Sequence, residues 1–485
     1  MYCFLFFLAK QVSFNYNSSI MFKGNVVGLN KKYIIFSLVF ISAFFSFTLG
    51  FCKDNASSVI SELNLTKAIL VAFQNNKDIQ MQEQEIAVAS ANILGAKSAF
   101  LPQINLQGSY TYNDKILSPN IFSGYKNDHL AQLAFSESVY SGGANMANFK
   151  QAKISLDIQQ ETLRAKKLDV EFDARRLYYG LLLAYETERI AKDALAQAIA
   201  HYEDVKQMFD QGTASRFDML QSGVQVSLLE PNVVRARNEI DSLKADLNKL
   251  LARKVDFPIE TEEKLSYIFI RIEENEFLKN AYLERPEIKL KTLGVDMNKW
   301  SIQMAKSGYR PQVDILGGYS YRSDSLGNLF NDKQNNWNAG LAVNVPIFEG
   351  FSTKAKVDAA RARFAQSKID KDNLVDQIAV EVHKACLSLQ ESEMIIKSQR
   401  DNVDQAKEAL RISQVSYANG VAINLDVIDA QVSLAQIQKN LAAGIYDYLM
   451  AQAYLDRSIG KPFISAPGAD MNGAGVVFVH KENKT

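Results

Sequence analysis

The residue types that could support catalysis or metal binding are scattered in this sequence. Its histidines lie far apart, and none has a partner at the spacing of a metal-binding motif: His129, His201, His383 and His480. We find neither a nucleophile-elbow motif nor a phosphate-binding loop motif. The sequence therefore does not indicate an enzyme, and we expect no catalytic residue, no cofactor and no resident metal. Isolated titratable groups on helix faces are expected to be solvated.

Cysteine usage and net charge narrow the classes of protein further. Cys3 and Cys52 lie in or beside a predicted export signal, which leaves Cys386 alone in the body of the chain. Cys386 is expected to be a small buried residue, since it has no partner for an internal disulfide. The 54 basic and 54 acidic side chains balance, so no nucleic-acid partner is expected.

Two carboxylates follow a predicted turn at Gly420. Asp426 and Asp429 stand at the start of a predicted helix, where acidic side chains interact favourably with the helix dipole. A similar turn is predicted at Gly212, and glycine suits both turns because it readily adopts a positive φ. Whether the carboxylates do more depends on the elements that position them.

The chain contains two similar halves, at an offset of about 208 residues. Residues 100–104 resemble residues 309–313, and residues 139–142 resemble residues 347–350. Each half is predicted to contain a helix, two strands, a very long helix, a tight turn and a returning helix. The predicted segments are residues 1–50 (extension and signal peptide), 51–251 (first repeat, β-hairpin 102–140), 252–275 (linker), 276–460 (second repeat, β-hairpin 311–348) and 461–485 (tail).

Alternation of apolar and polar residues predicts the strands. In residues 103–112 the face with Ile104 and Leu106 is apolar, whereas the face with Asn105 and Gln107 is polar. Such a strand could face the core of a soluble sandwich or the lipid around a membrane β-barrel, and the alternation by itself leaves both possibilities open.

The helices predict an elongated molecule. Residues 352–419 contain neither glycine nor proline, and apolar or aromatic side chains recur there every seven residues: Val375, Val382, Leu389, Ile396, Val403, Leu410 and Tyr417. This is the pattern of a coiled-coil seam.

The number of strands predicts the oligomeric state if the strands form a membrane barrel. Four strands per chain cannot close a barrel alone, two chains would give a filled barrel, and three would leave room for a lumen. We therefore predict a trimer, with higher multiples left open.

An export signal is predicted at the N-terminus. Lys31 and Lys32 precede an apolar run, and small residues follow it before Phe51. Met21 is an alternative start. A bulky residue before Cys52 argues against lipidation of that cysteine.

The sequence resembles the TolC-like outer-membrane efflux proteins over about residues 63–461. The resemblance rests on Phe-Leu-Pro-Gln-Ile and Tyr-Arg-Pro-Gln-Val before the strands, on Val-Pro-Ile-Phe-Glu-Gly after them, and on the turn segments at residues 211–218 and 419–426. It implies an α+β membrane protein: a trimeric 12-stranded β-barrel in the outer membrane, continued by an α-helical coiled-coil tunnel in the periplasm. The linker and the C-terminal tail would form a belt around the tunnel.

The same resemblance implies a gate at the helix turns. Asp426 and Asp429 would face the tunnel axis and form rings of carboxylates that attract and bind cations. Tyr417 and Asp218 would bond between neighbouring helices, although packing in the seam also explains Tyr417. Ala422 replaces a basic residue that is usual in this network.

Partners follow from the resemblance as well. The turns at Gly212 and Gly420 would dock a periplasmic adaptor, and an inner-membrane pump of the RND or ABC type would supply the energy. The alternative is an exported coiled-coil structural or adhesin protein without a pore, which explains the heptads but not the paired amphipathic hairpins.

Overall fold

The computed structural model describes residues 63–114, 125–261, 263–331 and 335–463. The predicted signal at residues 1–50, the alternative start Met21, Cys52 and most of the predicted tail lie outside these residues. Among the described helices, none is long and apolar enough to cross a membrane.

The two halves contain the same elements in the same order. The first half comprises α1 (Leu65–Asn75), α2 (Lys77–Ser98), β1 (Gln103–Tyr112), β2 (Asn127–Ser141), α3 (Ala144–Asp210) and α4 (Arg216–Leu250). The second comprises α5 (Glu274–Glu284), α6 (Pro286–Lys306), β3 (Gln312–Ser323), β4 (Asn335–Asn344), α7 (Ser352–Ala418) and α8 (Asn424–Ile459). Single 3-10 turns, Ser307–Tyr309 and Leu326–Asn328, flank β3.

Each half opens with two helices, where the sequence predicts one. Asn76 leaves the helical region with ψ 128°, and its side chain caps α2 by accepting the backbone N–H of Asp78 at 2.9 Å. Arg285 adopts ψ 122° because it precedes Pro286, whose ring disfavours a helical conformation at the preceding residue. A different local cause therefore breaks the helix at the equivalent place in each half.

The four strands form one antiparallel sheet in the order β1-β2-β3-β4. The second hairpin is shorter than the predicted 311–348, since β4 ends at Asn344. Pro346, which has no backbone N–H to donate, follows closely. Within the described chain, β1 and β4 each pair with one neighbour only, so the sheet has two open edges.

The register places apolar side chains on one face of the sheet. Directly paired residues point to the same side, and one row across all the strands consists of Leu106, Leu133, Tyr319 and Trp337. The neighbouring row, on the opposite face, consists of Gln107, Gln132, Ser320 and Asn336. Leu106 is 81% exposed and Trp337 is 72% exposed, so the chain by itself does not cover the apolar face.

Two continuous helices, α3 and α7, contain 67 residues each. At about 1.5 Å per residue each is roughly 100 Å long. The predicted heptad seam of α7 is buried from Val382 to Leu410, whereas Val375 and Tyr417 at its ends are half-buried. The helices pack laterally, α3 against α4, α6 and α8, and α7 against α6 and α8.

Residues 253–261 and 263–273 form neither helix nor strand and lie along the helices. The buried hydroxyl of Tyr178 on α3 donates to Glu263 at 2.5 Å. The backbone N–H of Ile270 donates to the buried hydroxyl of Tyr448 on α8 at 2.9 Å. This segment is therefore hydrogen-bonded to one helix of each half.

The chain beyond α8 is held against α3 by a buried carboxyl. Glu171 is 3% exposed, and its Oε1 accepts the backbone N–H of Phe463 at 2.6 Å. The Arg175 guanidinium lies 4.9 Å from the centroid of the Phe463 ring. Burial raises the pKa of Glu171 from 4.5 to about 7, against the opposing effects of the Phe463 N–H and Arg175.

We expect this carboxyl to make the stability of the protein depend on pH. The pKa of Glu171 is higher in the folded protein than in the unfolded chain. Its contribution to the free energy of unfolding is therefore fully present below pH 4.5 and is lost as the pH rises through about 7. The loss amounts to about 3 kcal/mol at most. Replacing Glu171 by glutamine should therefore leave the unfolding temperature nearly unchanged at pH 4.5 and raise it at pH 8.

Thermal unfolding of the detergent-solubilised protein, followed by circular dichroism from pH 4.5 to 8, measures this difference. Glu408→Gln is a control, since that carboxylate is exposed on α7 and paired with Arg411. A Glu171→Gln variant with the same pH dependence as the wild type would contradict the prediction.

Candidate gate at the helix turns

The turns at Gly212 and Gly420 have the same backbone structure. Gly212 has φ 78° and Gly420 has φ 70°, the left-handed region that favours glycine. After α3 the N–H of Thr213 donates to the carbonyl of Met208 at 2.8 Å, and after α7 the N–H of Val421 donates to that of Ser416, also at 2.8 Å. Both helices therefore end in the same hydrogen-bonded C-terminal motif.

The helices that follow also begin alike. Asp218 Oδ2 accepts the backbone N–H of Ser215 at 3.3 Å, and Asp426 Oδ2 accepts that of Ile423 at 3.0 Å. Ser215 returns the bond, since its Oγ accepts the N–H of Asp218 at 3.1 Å. Each aspartate thus satisfies an N–H at the start of its helix, which is sufficient to explain an acidic residue there.

The start of α8 has one buried and one exposed face. Val427 is completely buried and Ile428 is 6% exposed, whereas Asp426 and Asp429 are exposed. The two predicted gate carboxylates therefore share the surface of α8 that the chain itself does not cover. Their alignment with a channel axis stays a prediction.

Tyr417 lies at the end of α7, half-buried in the apolar cluster at the turns, with Leu410 and Val427. Its ring packs edge-on against His201 with 5.4 Å between centroids. Burial raises the pKa of Tyr417, and the negative charge of Asp218 raises it further. The structure thus brings Tyr417 and Asp218, from different halves, into one neighbourhood.

Sequence reasoning missed Asn424, which connects both halves at the turns. Asn424 is the first residue of α8 and is 1% exposed. Its Nδ2 donates to the carbonyl of Asp218 at 3.2 Å and to Gln221 Oε1 at 3.1 Å. Its Oδ1 lies 2.7 Å from His201 Nε2 and 3.1 Å from Ser222 Oγ.

The expectation that the histidines are solvated is wrong for His201, which is 7% exposed. The sequence signal for its burial was its position on the apolar side of α3. Ala198 lies three residues before it and Val205 four residues after it, and both are buried. A polar residue in such a seam needs a polar partner. Here that partner comes from the other half, about 220 residues away.

Ala422 contributes only its backbone to the second turn, where its N–H donates to the carbonyl of Ser416 at 3.2 Å. The resemblance to TolC-like proteins predicts a basic side chain at this position, where this chain has the methyl group of alanine. The contacts of Asn424 and His201 lie beside this position.

Known proteins similar to this chain include outer-membrane proteins and secretion proteins. The chain is 21% identical to the alkaline protease secretion protein AprF of Pseudomonas aeruginosa, covering 81% of this chain and 83% of that protein. It is 22% identical to the outer membrane protein TolC of Vibrio cholerae, covering 83% and 92%.

Among solved structures, VceC of Vibrio cholerae superimposes with a TM-score of 0.71 at 20% identity, over 82% of this chain and 97% of that one. The CmeC outer membrane channel of Campylobacter jejuni gives a TM-score of 0.73 at 18% identity, over 82% and 85%. These likenesses confirm the predicted TolC-like fold.

The profile of the outer membrane efflux protein family matches the chain twice, at residues 69–253 and 277–461. The two matches confirm the internal repeat and account for most of the sequence. The chain belongs to the outer membrane efflux protein family.

Proposed function

We propose that this protein is the outer-membrane channel of a tripartite efflux system or a type I secretion system. It would give passive exit across the periplasm and the outer membrane to substrates that an inner-membrane pump delivers. The outer-membrane location follows from membership of the family.

The sheet carries this proposal. It has an exposed, largely apolar face, an opposite face rich in glutamine, serine and asparagine, and two open edges within the described chain. Open edges are not tolerated in lipid, so several copies must join edge to edge. Three copies give a barrel of twelve strands, with the polar face around a water-filled lumen.

The exposed surface of α7 supports assembly into a homotrimer. Val380, Leu387 and Met394 recur at intervals of seven residues, and each is about half exposed or more, at 52%, 49% and 66%. A heptad stripe left uncovered in one chain is suited to pack against a helix of another. Neighbouring copies would then continue the helices into a tunnel below the barrel, with residues 252–275 in its belt.

The gate would lie at the helix turns. In a trimer, Asp426 and Asp429 would form two rings of three carboxylates, which repel one another and attract cations. Tyr417 and Asp218 would help to hold the closed state. The exposed turns at Gly212 and Gly420 would receive the periplasmic adaptor.

Relatives of this chain are named for the export of different kinds of substrate. The name of AprF refers to protease secretion, whereas a relative from Escherichia coli O157:H7 with 21% identity is named cation efflux system protein CusC. The inner-membrane pump that we propose as the partner is of the ABC type or the RND type.

Single-channel recording of the purified protein in planar bilayers tests the proposed function. We expect small, cation-selective openings, from a protein that migrates as a heat-sensitive trimer on gels. A protein that stays soluble without detergent and never enters the bilayer would refute the channel and favour the coiled-coil scaffold.

A further inference from the structure

We infer that Asn424 and His201 are the positioning residues of the gate, because their buried hydrogen bond fixes the rotation of α8 against α3 and so the direction of Asp426 and Asp429. The inference rests on the proposed channel function. It assigns a role to two residues that do not themselves line the gate.

The contact lies in a seam that is otherwise largely apolar. On α8, Val427 and Leu434 are buried on the side that carries Asn424, and on α3 Ala198 and Val205 flank His201. Further along α8, Gln431 makes a second polar contact with α3, since its Nε2 donates to the carbonyl of Gln197 at 3.3 Å. A polar pair inside an apolar seam specifies register, because any shift leaves buried polar atoms without partners.

Asn424 uses its whole side chain in this contact. Its amide nitrogen donates to Asp218 and Gln221 on α4, and its oxygen accepts from His201 on α3. The first residue of α8 is thereby bound to α3 and α4, the two long helices of the first half. Rotation of α8 about its axis would break all these bonds together.

The gate carboxylates lie on the opposite side of the same helix. At about 100° per residue, Asp426 and Asp429 lie roughly 200° and 140° around α8 from Asn424. Their exposure and the burial of Asn424 agree with this geometry. The contacts that fix Asn424 therefore also direct both carboxylates away from the first half. Tyr417 packs on His201, so α7 contacts the same site.

The test compares wild-type protein with His201→Leu/Asn424→Leu and with His201→Gln. The double substitution removes both polar partners and keeps the seam apolar, so assembly should be preserved. Glutamine at position 201 retains an N–H that can donate to Asn424. His383→Leu is the control, since His383 is an exposed histidine paired with Glu274 on α5.

Each protein is reconstituted in planar bilayers, and two quantities are measured: the fraction of time spent conducting and the Mg²⁺ concentration that halves the current. For the double variant we expect a higher conducting fraction and a half-blocking concentration about tenfold higher. His201→Gln and His383→Leu should behave like the wild type.

A double variant with wild-type values of both quantities would overturn the inference. So would a double variant that forms no heat-sensitive trimer, because the contact would then serve folding and not positioning. A wild-type protein that never conducts would instead refute the proposed function. If Mg²⁺ fails to block even the wild type, the conducting fraction alone decides.

Discussion

Replacing Leu106 by arginine is expected to prevent the protein from assembling in the outer membrane. Leu106 lies on β1, in the apolar row that crosses the whole sheet, and it is 81% exposed in the single chain. An arginine on the lipid face of a membrane barrel costs about 2–4 kcal/mol near the midplane, and a trimer would contain three. We expect the heat-sensitive trimer to fall below about a tenth of the wild-type amount.

The matched control is Gln107→Arg, one residue further along the same strand. Gln107 is also exposed, but it belongs to the polar row with Gln132, which would face the lumen. This variant should assemble normally, with a change in ion selectivity only. Equal yields of the two variants in outer-membrane fractions would show that the apolar face does not contact lipid.

The second large effect is expected from Asp426→Ala combined with Asp429→Ala. Removing both carboxylates from each chain would remove two rings of negative charge from the narrowest part of the proposed tunnel. Block by divalent cations should then be lost, with at least a tenfold rise in the half-blocking Mg²⁺ concentration, and the preference for cations should decrease. Single-channel recording at graded Mg²⁺ concentrations measures both.

Asp372→Ala combined with Asp401→Ala is the control, because both aspartates are exposed on α7 far from the turn. That variant should retain the block. An Asp426/Asp429 variant that is still blocked at the wild-type Mg²⁺ concentration would leave the channel in place and remove these residues from the gate.

The capping bond of Asp426 affects how this experiment is read. Alanine also removes the carboxylate that accepts the N–H of Ile423. Asn at position 426 retains an oxygen for that bond but carries no charge. Asp426→Asn with Asp429→Asn should therefore lose the block while keeping the start of α8 intact, which separates charge from helix capping.

Much of this fold was predictable because its signals are local. Alternation of apolar and polar residues along a strand depends only on the pleat, so the faces of β1 were identified from residues 103–112 alone. The heptad from Val382 to Leu410 likewise identified the buried side of α7 before the helices that pack against it were known. Gly212 and Gly420 identified the turns, since few residues other than glycine readily adopt a left-handed backbone conformation.

The sequence by itself thus determined the class of the protein, its repeats and the residues at its turns. Three boundaries within the repeats, the breaks before α2 and α6 and the end of β4, emerged only from the structure. A helix can bend or stop at a single residue without disturbing the periodicity on either side.

The tertiary structure alone decided which polar residues meet. His201 and Asn424 lie in different halves, and neither belongs to a sequence motif that predicts contact with the other. A hydrogen bond between two side chains depends on the relative rotation of two helices, which periodicity along either helix does not specify. The sequence therefore identified the candidate gate residues, whereas the contact that orients them exists only once α3, α4 and α8 are packed together.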